Sequence, residues 1–367
     1  MKKEYQPFRM ICIVCLLAGL ILISSCSVNS GTTSGTSDNT IQEYWPTTAW
    51  KTKEPDPQII DVKRMEKVEN TVSHSLVQSM IIVHDGYIIS EFYKEGDPNE
   101  LYPLNSVTKS VTSILMGIAM DEGKIKGIDE RIENYFPEYE DAFDSDAKKS
   151  ITVEHLLTMT SGLDWPEWTD WDFSIGPLWN AKDWNSFVLQ RTMAFDPGMV
   201  WNYNTGGSQL LASILKKATG QSEYDYGMAN LFKPLGINDV DWLPSKDGSN
   251  TGGFGLSMTS RDLAKIGLLY LNGGFWDDRQ IVSKQWVLDS TTTHSNGDYH
   301  FGEYGYHWWI RDFGDQPAYF GMGHGGQYLA VIPDLHLVIV IFSQADDAMD
   351  TLIPLKYMED IVKAFLK

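Results

Sequence analysis

The sequence predicts a mixed α/β domain of the α+β type. One five-stranded antiparallel sheet is built from both chain ends and flanked by helices, with a large, mostly helical insertion over roughly residues 124–270. Three observations lead there. Two short β-rich runs, Met80–His84 and Tyr87–Tyr93, lie near the start. Between them stands Asp85-Gly86, a dipeptide that signals a tight hairpin. Three further runs lie near the end: Tyr304–Ile310, Tyr328–Ile332 and Leu335–Ser343, the last two turned by Pro333-Asp334. Apolar residues at helical spacing fill both ends of the domain and much of the middle. The simplest assembly puts the terminal helices on one face of the sheet and the insertion on the other.

The elements follow in order. Lys2, Lys3 and Arg9 form a basic start, and Met10 to Ile23 is an apolar run. The run is short for a membrane span and reads as a secretory signal over residues 1–25. Its ending, Ile23-Ser24-Ser25-Cys26, resembles the lipobox of bacterial lipoproteins, which implies a lipidated Cys26 as the new N-terminus. The expected location is extracytoplasmic, with the membrane met through the lipid anchor only. Residues 26–55 read as a flexible tether, Ser/Thr/Gly/Asn-rich over 27–40. The domain itself occupies 56–367.

Within it, residues 56–72 carry helical spacing. Val107 to Met120 repeats apolar residues every third or fourth position, and Gly123 suits the end of that helix. Further helices are expected at 152–159, 208–219, 223–231, 260–272 and 351–366. Cys12, Cys15 and Cys26 all precede the domain, which therefore has no thiol, disulfide or thiolate metal site. Hydrophobic residues make up 43%, enough for a sizeable core, and a net charge of −20 argues against a nucleic-acid partner.

Ser106-Val107-Thr108-Lys109 is the main chemical signal. On a helix, positions i and i+3 share a face, so the lysine amine can sit beside the serine hydroxyl. A neutral lysine can take the proton that makes serine a nucleophile. Pro103-Leu104-Asn105 stops any upstream element, which leaves Ser106 near a helix start. Backbone N–H groups there are unpaired and favour a forming oxyanion. The bland alternative is a helix-capping serine with a solvated lysine. Tyr203, in Trp201-Asn202-Tyr203-Asn204-Thr205, offers a phenol able to share a proton with a lysine; alone it reads equally as a core tyrosine. Gly321-Met322-Gly323-His324-Gly325-Gly326-Gln327 enters a strand. Its glycines leave room for a substrate backbone, the Gln327 N–H could face the reacting carbonyl, and His324 could donate to a substrate oxygen. Alone it is a Gly-rich turn with a structural histidine.

These motifs together resemble the β-lactamase-related serine hydrolases: class C β-lactamases, D-alanyl-D-alanine carboxypeptidases, and esterases and amide hydrolases of that fold. Ser106-Val107-Thr108-Lys109 matches the first motif, Tyr203-Asn204-Thr205 the second at its tyrosine, and His324-Gly325-Gly326 stands at the third. Leu156-Leu157-Thr158-Met159-Thr160-Ser161-Gly162-Leu163 and Leu231-Phe232-Lys233-Pro234-Leu235-Gly236-Ile237 read like family phrases. The likeness covers roughly residues 56–367. It implies a β-lactamase/penicillin-binding-protein-like fold and an acyl-enzyme on Ser106, with Lys109 and Tyr203 moving its proton. It also implies an oxyanion site from the Ser106 and Gln327 N–H groups, beside His324, Gly325 and Gly326.

Two departures narrow the substrate. Thr205 stands where the family has asparagine, and His324 where it has lysine. The first weakens the grip on amide side chains, the second the charge that meets a substrate carboxylate. Both favour a small ester, an amide or a peptide without a free carboxylate over penicillins. The alternatives are a β-lactamase or D-alanyl-D-alanine peptidase, and a cell-wall-fragment sensor without turnover. No cofactor is expected. His74, His155, His294, His300 and His307 show no metal spacing. Trp165, Trp168, Trp171, Trp179 and Trp184 crowd a loop with Asp164, Glu167, Asp170, Asp172 and Asp183, which reads as loop packing or a cleft wall. Nothing fixes an oligomeric state.

Overall fold

The computed structural model describes residues 44–346 and 350–366. The leader, Cys26 and residues 26–43 lie outside the described residues. The strands of the main sheet are β1 (Val77–His84), β2 (Tyr87–Tyr93), β3 (Ser295–Asp298), β4 (Gly302–Tyr304), β5 (Trp309–Phe313), β6 (Gln316–Gly323), β7 (Gln327–Ile332) and β8 (Leu337–Ser343). They lie in the order β2-β1-β8-β7-β6-β5-β4-β3. Every neighbouring pair is antiparallel. The two chain ends meet at β1 and β8, where Ile81 faces Val340.

The sheet thus has eight strands where five were expected, for three physical reasons. β6 carries Gly321-Met322-Gly323, which hides its β pattern. The expected strand Tyr304–Ile310 is split into β4 and β5, because the chain kinks between them with His307 at φ 62°. β3 is Ser-Asn-Gly-Asp, with no apolar alternation to read. The first hairpin forms as expected, with Asp85 at φ 50° and Gly86 at φ 79°, the paired left-handed residues of a tight turn.

Alternation along the strands divides the core in two. The helices that cover it are α1 (Val62–Ser73), α2 (Thr108–Asp121), α3 (Val153–Leu157), α4 (Thr205–Thr219), α5 (Glu223–Gly227), α6 (Ser260–Leu271) and α7 (Ile353–Phe365). On one face Ile339 and Ile341 pack with Met65 and Val68 of α1 and Met358 and Ile361 of α7. On the other, Val338 and Val340 pack with Val111 and Ile114 of α2 and Leu263 and Ile266 of α6. The second face holds the helix that follows Ser106. None of the helices among the described residues is long and apolar enough to cross a membrane.

Residues 44–55, expected as the end of a free tether, are packed instead. Tyr44 donates to the Gly86 carbonyl at 2.9 Å, and Trp50 Nε1 to the Arg261 carbonyl at 3.1 Å. Trp45 lies against Phe275 and Trp276. The aromatic side chains of this stretch, absent from 27–40, supply the surface that holds it down.

A small three-stranded sheet (Asp241–Trp242, Leu256–Met258, Tyr102–Pro103) positions the site. Its middle strand accepts the Leu104 N–H at the Leu256 carbonyl, 2.8 Å away. That bond fixes the chain two residues before Ser106.

Candidate active site

Ser106 sits in a single 3₁₀ turn, Asn105–Val107, that runs directly into α2. Asn105 before it is left-handed, at φ 48°. Asparagine tolerates this conformation better than other side chains. Its amide secures it by donating to the His324 carbonyl at 2.7 Å. The turn opens on Asn105, so the Ser106 N–H has no helical carbonyl upstream to bond.

Lys109 lies one turn on and is 1% exposed. Its Nζ is 3.1 Å from Ser106 Oγ and 2.8 Å from the Gly253 carbonyl. Burial pushes its ammonium down to about 8, while the Glu167 carboxylate pulls the other way. At neutral pH a usable fraction of Lys109 is therefore uncharged and able to accept the serine proton. Beneath it, His307 brings Nδ1 to 3.1 Å from the Lys109 carbonyl and Nε2 to 3.3 Å from Ser208 Oγ. Burial pushes this imidazole down to about 3, so it stays neutral. It serves as a prop for α2, not as an acid.

Tyr203 closes the site from the insertion side. It is 6% exposed, has its ring 4.8 Å from Lys109 Nζ, and lies near enough to the Ser106 side chain for that group to lower its pKa. Burial first, and the Glu167 charge second, push its phenol well above the ordinary range. Tyr203 stays a neutral hydroxyl and Lys109 becomes the group nearer to giving up its charge. Rings surround the tyrosine: Trp168 at 5.2 Å and Trp309 at 6.3 Å, with Trp201 at 6.2 Å between centroids. Trp168 keeps 45% of its surface exposed and forms the outer wall. Of the other loop tryptophans, Trp165 and Trp184 are core, while Trp179 is half exposed against Phe254.

Glu167 carries a role that its crowded acidic loop concealed. Its carboxylate accepts from Thr205 N at 2.8 Å, Thr205 Oγ1 at 2.7 Å and Trp165 Nε1 at 2.7 Å. Thr205, in the family's asparagine position, is thus turned to the carboxylate. Asn204 caps α4 by accepting from Gly207 N at 2.9 Å.

The third motif is placed differently from expectation. Gly323, at the end of β6, is the residue that touches the nucleophile. A Cβ there would lie 2.4 Å from the Leu104 carbonyl and 3.1 Å from Ser106 N. Gln327 starts β7, one strand further from Ser106, opposite Gly323. Its side-chain amide is spent inside the protein, donating to the Ser343 carbonyl at 2.8 Å. Gly325 and Gly326 are left-handed, at φ 84° and 86°, and form the β6–β7 turn. Side chains on them would strike Gln327 and Ser343, not a ligand. His324 is exposed at its side chain and fixed at its carbonyl by Asn105. Ser106, Lys109 and Tyr203 are brought together, and Gln327 pairs with the Gly323 that lies beside the Ser106 turn. Among the described residues no cluster of metal-ligating side chains occurs.

A helix-borne serine under a buried lysine and a buried tyrosine, at the edge of an antiparallel sheet, defines a class of hydrolase fold. The Beta-lactamase family model matches residues 73–360, and the chain belongs to that family. It is 24% identical over 334 residues to the 6-aminohexanoate-dimer hydrolase of Paenarthrobacter ureafaciens, covering 83% of this chain and 84% of that protein. It is also 24% identical over 156 residues to the esterase EstB of Burkholderia gladioli, covering 40% of this chain and 39% of the esterase. The solved structure of EstCE1, a hydrolase with promiscuous acyltransferase activity, superposes with a TM-score of 0.67 at 15% identity, over 82% of this chain and 98% of that one. Hydrolases of esters and amides are therefore among its relatives, on the same fold.

Proposed function

We propose that the protein hydrolyses an ester, or an amide without a free terminal carboxylate, through an acyl-enzyme on Ser106. It would do so on the extracytoplasmic side of a membrane, held there by a lipid on Cys26. The observation that carries the chemistry is the buried Lys109 amine 3.1 Å from Ser106 Oγ, with its pKa brought down to about 8. Neutral Lys109 takes the hydroxyl proton as Oγ bonds to the carbonyl carbon. The oxyanion meets the Ser106 N–H. Gly323 lies against that N–H and pairs with Gln327, which supports a second donor from this strand pair, the Gln327 N–H or the His324 N–H. Collapse expels the alcohol or amine, which leaves with the proton relayed through the neutral Tyr203 hydroxyl. Water then attacks the acyl ester by the same route in reverse and frees the acid.

Two features support an uncharged substrate group. Glu167 places a carboxylate beside the lysine–tyrosine pair, and the residue at the family's lysine position is a histidine whose side chain faces solvent. Trp168 and Trp179 offer apolar surface at the rim.

The test is covalent labelling with a fluorophosphonate, followed by a screen of chromogenic esters, small amides, nitrocefin and D-alanyl peptides. Wild type labels and turns over esters; Ser106→Ala does neither. Labelling that survives Ser106→Ala would sink the assignment. Acylation that stops at one equivalent identifies a sensor, and rapid nitrocefin turnover a β-lactamase.

A further inference from the structure

Behind Lys109 lies a second buried acid that the proposed mechanism does not use. Glu223, on α5, is fully buried. Its Oε1 is 2.9 Å from Thr112 Oγ1, and its Oε2 has no partner among the described residues. Thr112 Oγ1 is also 2.8 Å from the Gly252 carbonyl. A threonine hydroxyl has one proton and cannot donate to both. Both Thr112 contacts are satisfied together when Thr112 donates to Gly252 and Glu223 carries a proton that it donates to Thr112.

Charges around the carboxyl agree. Asp247, on the loop between the Asp241–Trp242 and Leu256–Met258 strands of the small sheet, acts on it with the same sign. On the buried face of α2 the charged side chain is Lys109, engaged by Ser106 and Gly253. From α4, Lys216 and Lys217 reach the Asp247 carbonyl and Glu138. Glu122, at the end of α2, accepts from Tyr226 at 3.0 Å. No cation is therefore spent on Glu223. Burial pushes its carboxyl up to about 8.

We propose that Glu223 is a protonated positioning residue that seats the catalytic lysine. Its proton holds Thr112 on the Gly252 carbonyl. The adjacent Gly253 carbonyl receives Lys109 Nζ, and Thr112 stands one turn after Lys109 on the same helix. One buried O–H thus fixes both the helix and the loop that define the lysine's place. Loss of that proton turns Thr112 toward the carboxylate, frees Gly252, and loosens the seat. The inference rests on Lys109 serving Ser106 as proposed above, but the state of Glu223 can be read independently.

The experiment compares wild type with Glu223→Gln and Glu223→Leu in the full domain. A carboxyl whose folded pKa is raised keeps a proton that the unfolded chain releases. Its stabilising share is full at low pH and is lost as pH rises from the unfolded value of about 4.5 to about 8. Glu223→Gln, whose amide can still donate to Thr112, removes this slope. Its melting temperature should gain on wild type steadily between pH 5 and pH 8. A gap that does not change with pH overturns the protonated state, whatever the catalytic assignment. For catalysis, Glu223→Gln should keep kcat at pH 7 within about threefold and lack the alkaline fall expected of wild type. Glu223→Leu should lose at least about tenfold in kcat with KM little changed, corresponding to about 1.4 kcal/mol of barrier. Equal kcat in Glu223→Leu and wild type, or an unchanged alkaline limb in Glu223→Gln, overturns the positioning role. If Ser106→Ala had already failed its own test, the melting series would still stand.

Discussion

The two sides of the site are built from different materials. The floor under Lys109 is polar: Gly253, Ser208, His307 and Thr112 hold their partners by hydrogen bonds of 2.8–3.3 Å. The wall around Tyr203 is aromatic: Trp168, Trp201 and Trp309 surround it with few hydrogen bonds. Hydrogen bonds are directional and fix where an atom sits. Stacked rings are less directional but exclude water, and that exclusion moves the pKa of both groups. The floor sets geometry and the wall sets protonation.

Substitutions on each side should therefore fail in different ways. Lys109→Met removes the base and should lower kcat/KM by about 10²–10⁴-fold. It should also leave the protein folded, since it removes an ammonium whose burial is unfavourable; steady-state kinetics with circular dichroism checks both. Trp168→Ala opens the wall. Aromatic contacts of this kind contribute about 0.5–1.5 kcal/mol, so activity should fall by up to about tenfold. The rising limb of the pH–rate profile should move upward, as a wetter lysine holds its proton more tightly. A limb that stays in place would mean that the wall does not control the lysine.

Glu167→Gln keeps much of the bonding to Thr205 and Trp165 but removes the charge. Because that charge raises Lys109, the rising limb, near pH 8 in wild type, should move toward lower pH. Movement the other way would show that Glu167 acts through packing alone. The smallest effect is expected for His324→Ala. The side chain is exposed and only its backbone is held by Asn105. Exposed substitutions typically change stability by less than about 0.5 kcal/mol, and kcat/KM should stay within about twofold. A larger loss would restore the side chain to the mechanism.

Legibility in the sequence follows the same division. The Ser106–Lys109 pair was readable because helical spacing alone brings the two together. Tyr203 was visible through family resemblance, since nothing local marks a catalytic tyrosine. The hairpin and both terminal helices carried their own periodicity. β6 did not, because the glycines that let it approach Ser106 also erase its strand pattern. The side of the glycine run that lies against the Ser106 turn was hidden for that reason, because Gly323 belongs to this unseen strand. His307, Glu167 and Glu223 were hidden because their roles exist only across long separations in the chain. Asn105 left a weak trace, as a residue tolerant of left-handed backbone directly before the serine. The tether was drawn too long because Tyr44, Trp45 and Trp50 were not set against the polar stretch before them.

The pairing of β1 with β8 also bears on how the molecule comes into being. This pairing, of the second and third strands of eight, joins residues distant in the sequence. Contacts of such long range are slow to form, because the whole intervening loop must close first. A nascent chain that stops anywhere before Leu337 can make helices but lacks the strand that joins β1 and β2 to the rest of the sheet. It can therefore have no settled surface for the Ser106 turn. Synthesis must pass Leu337–Ser343 before the sheet can be completed, and until then its apolar strands are open to aggregation.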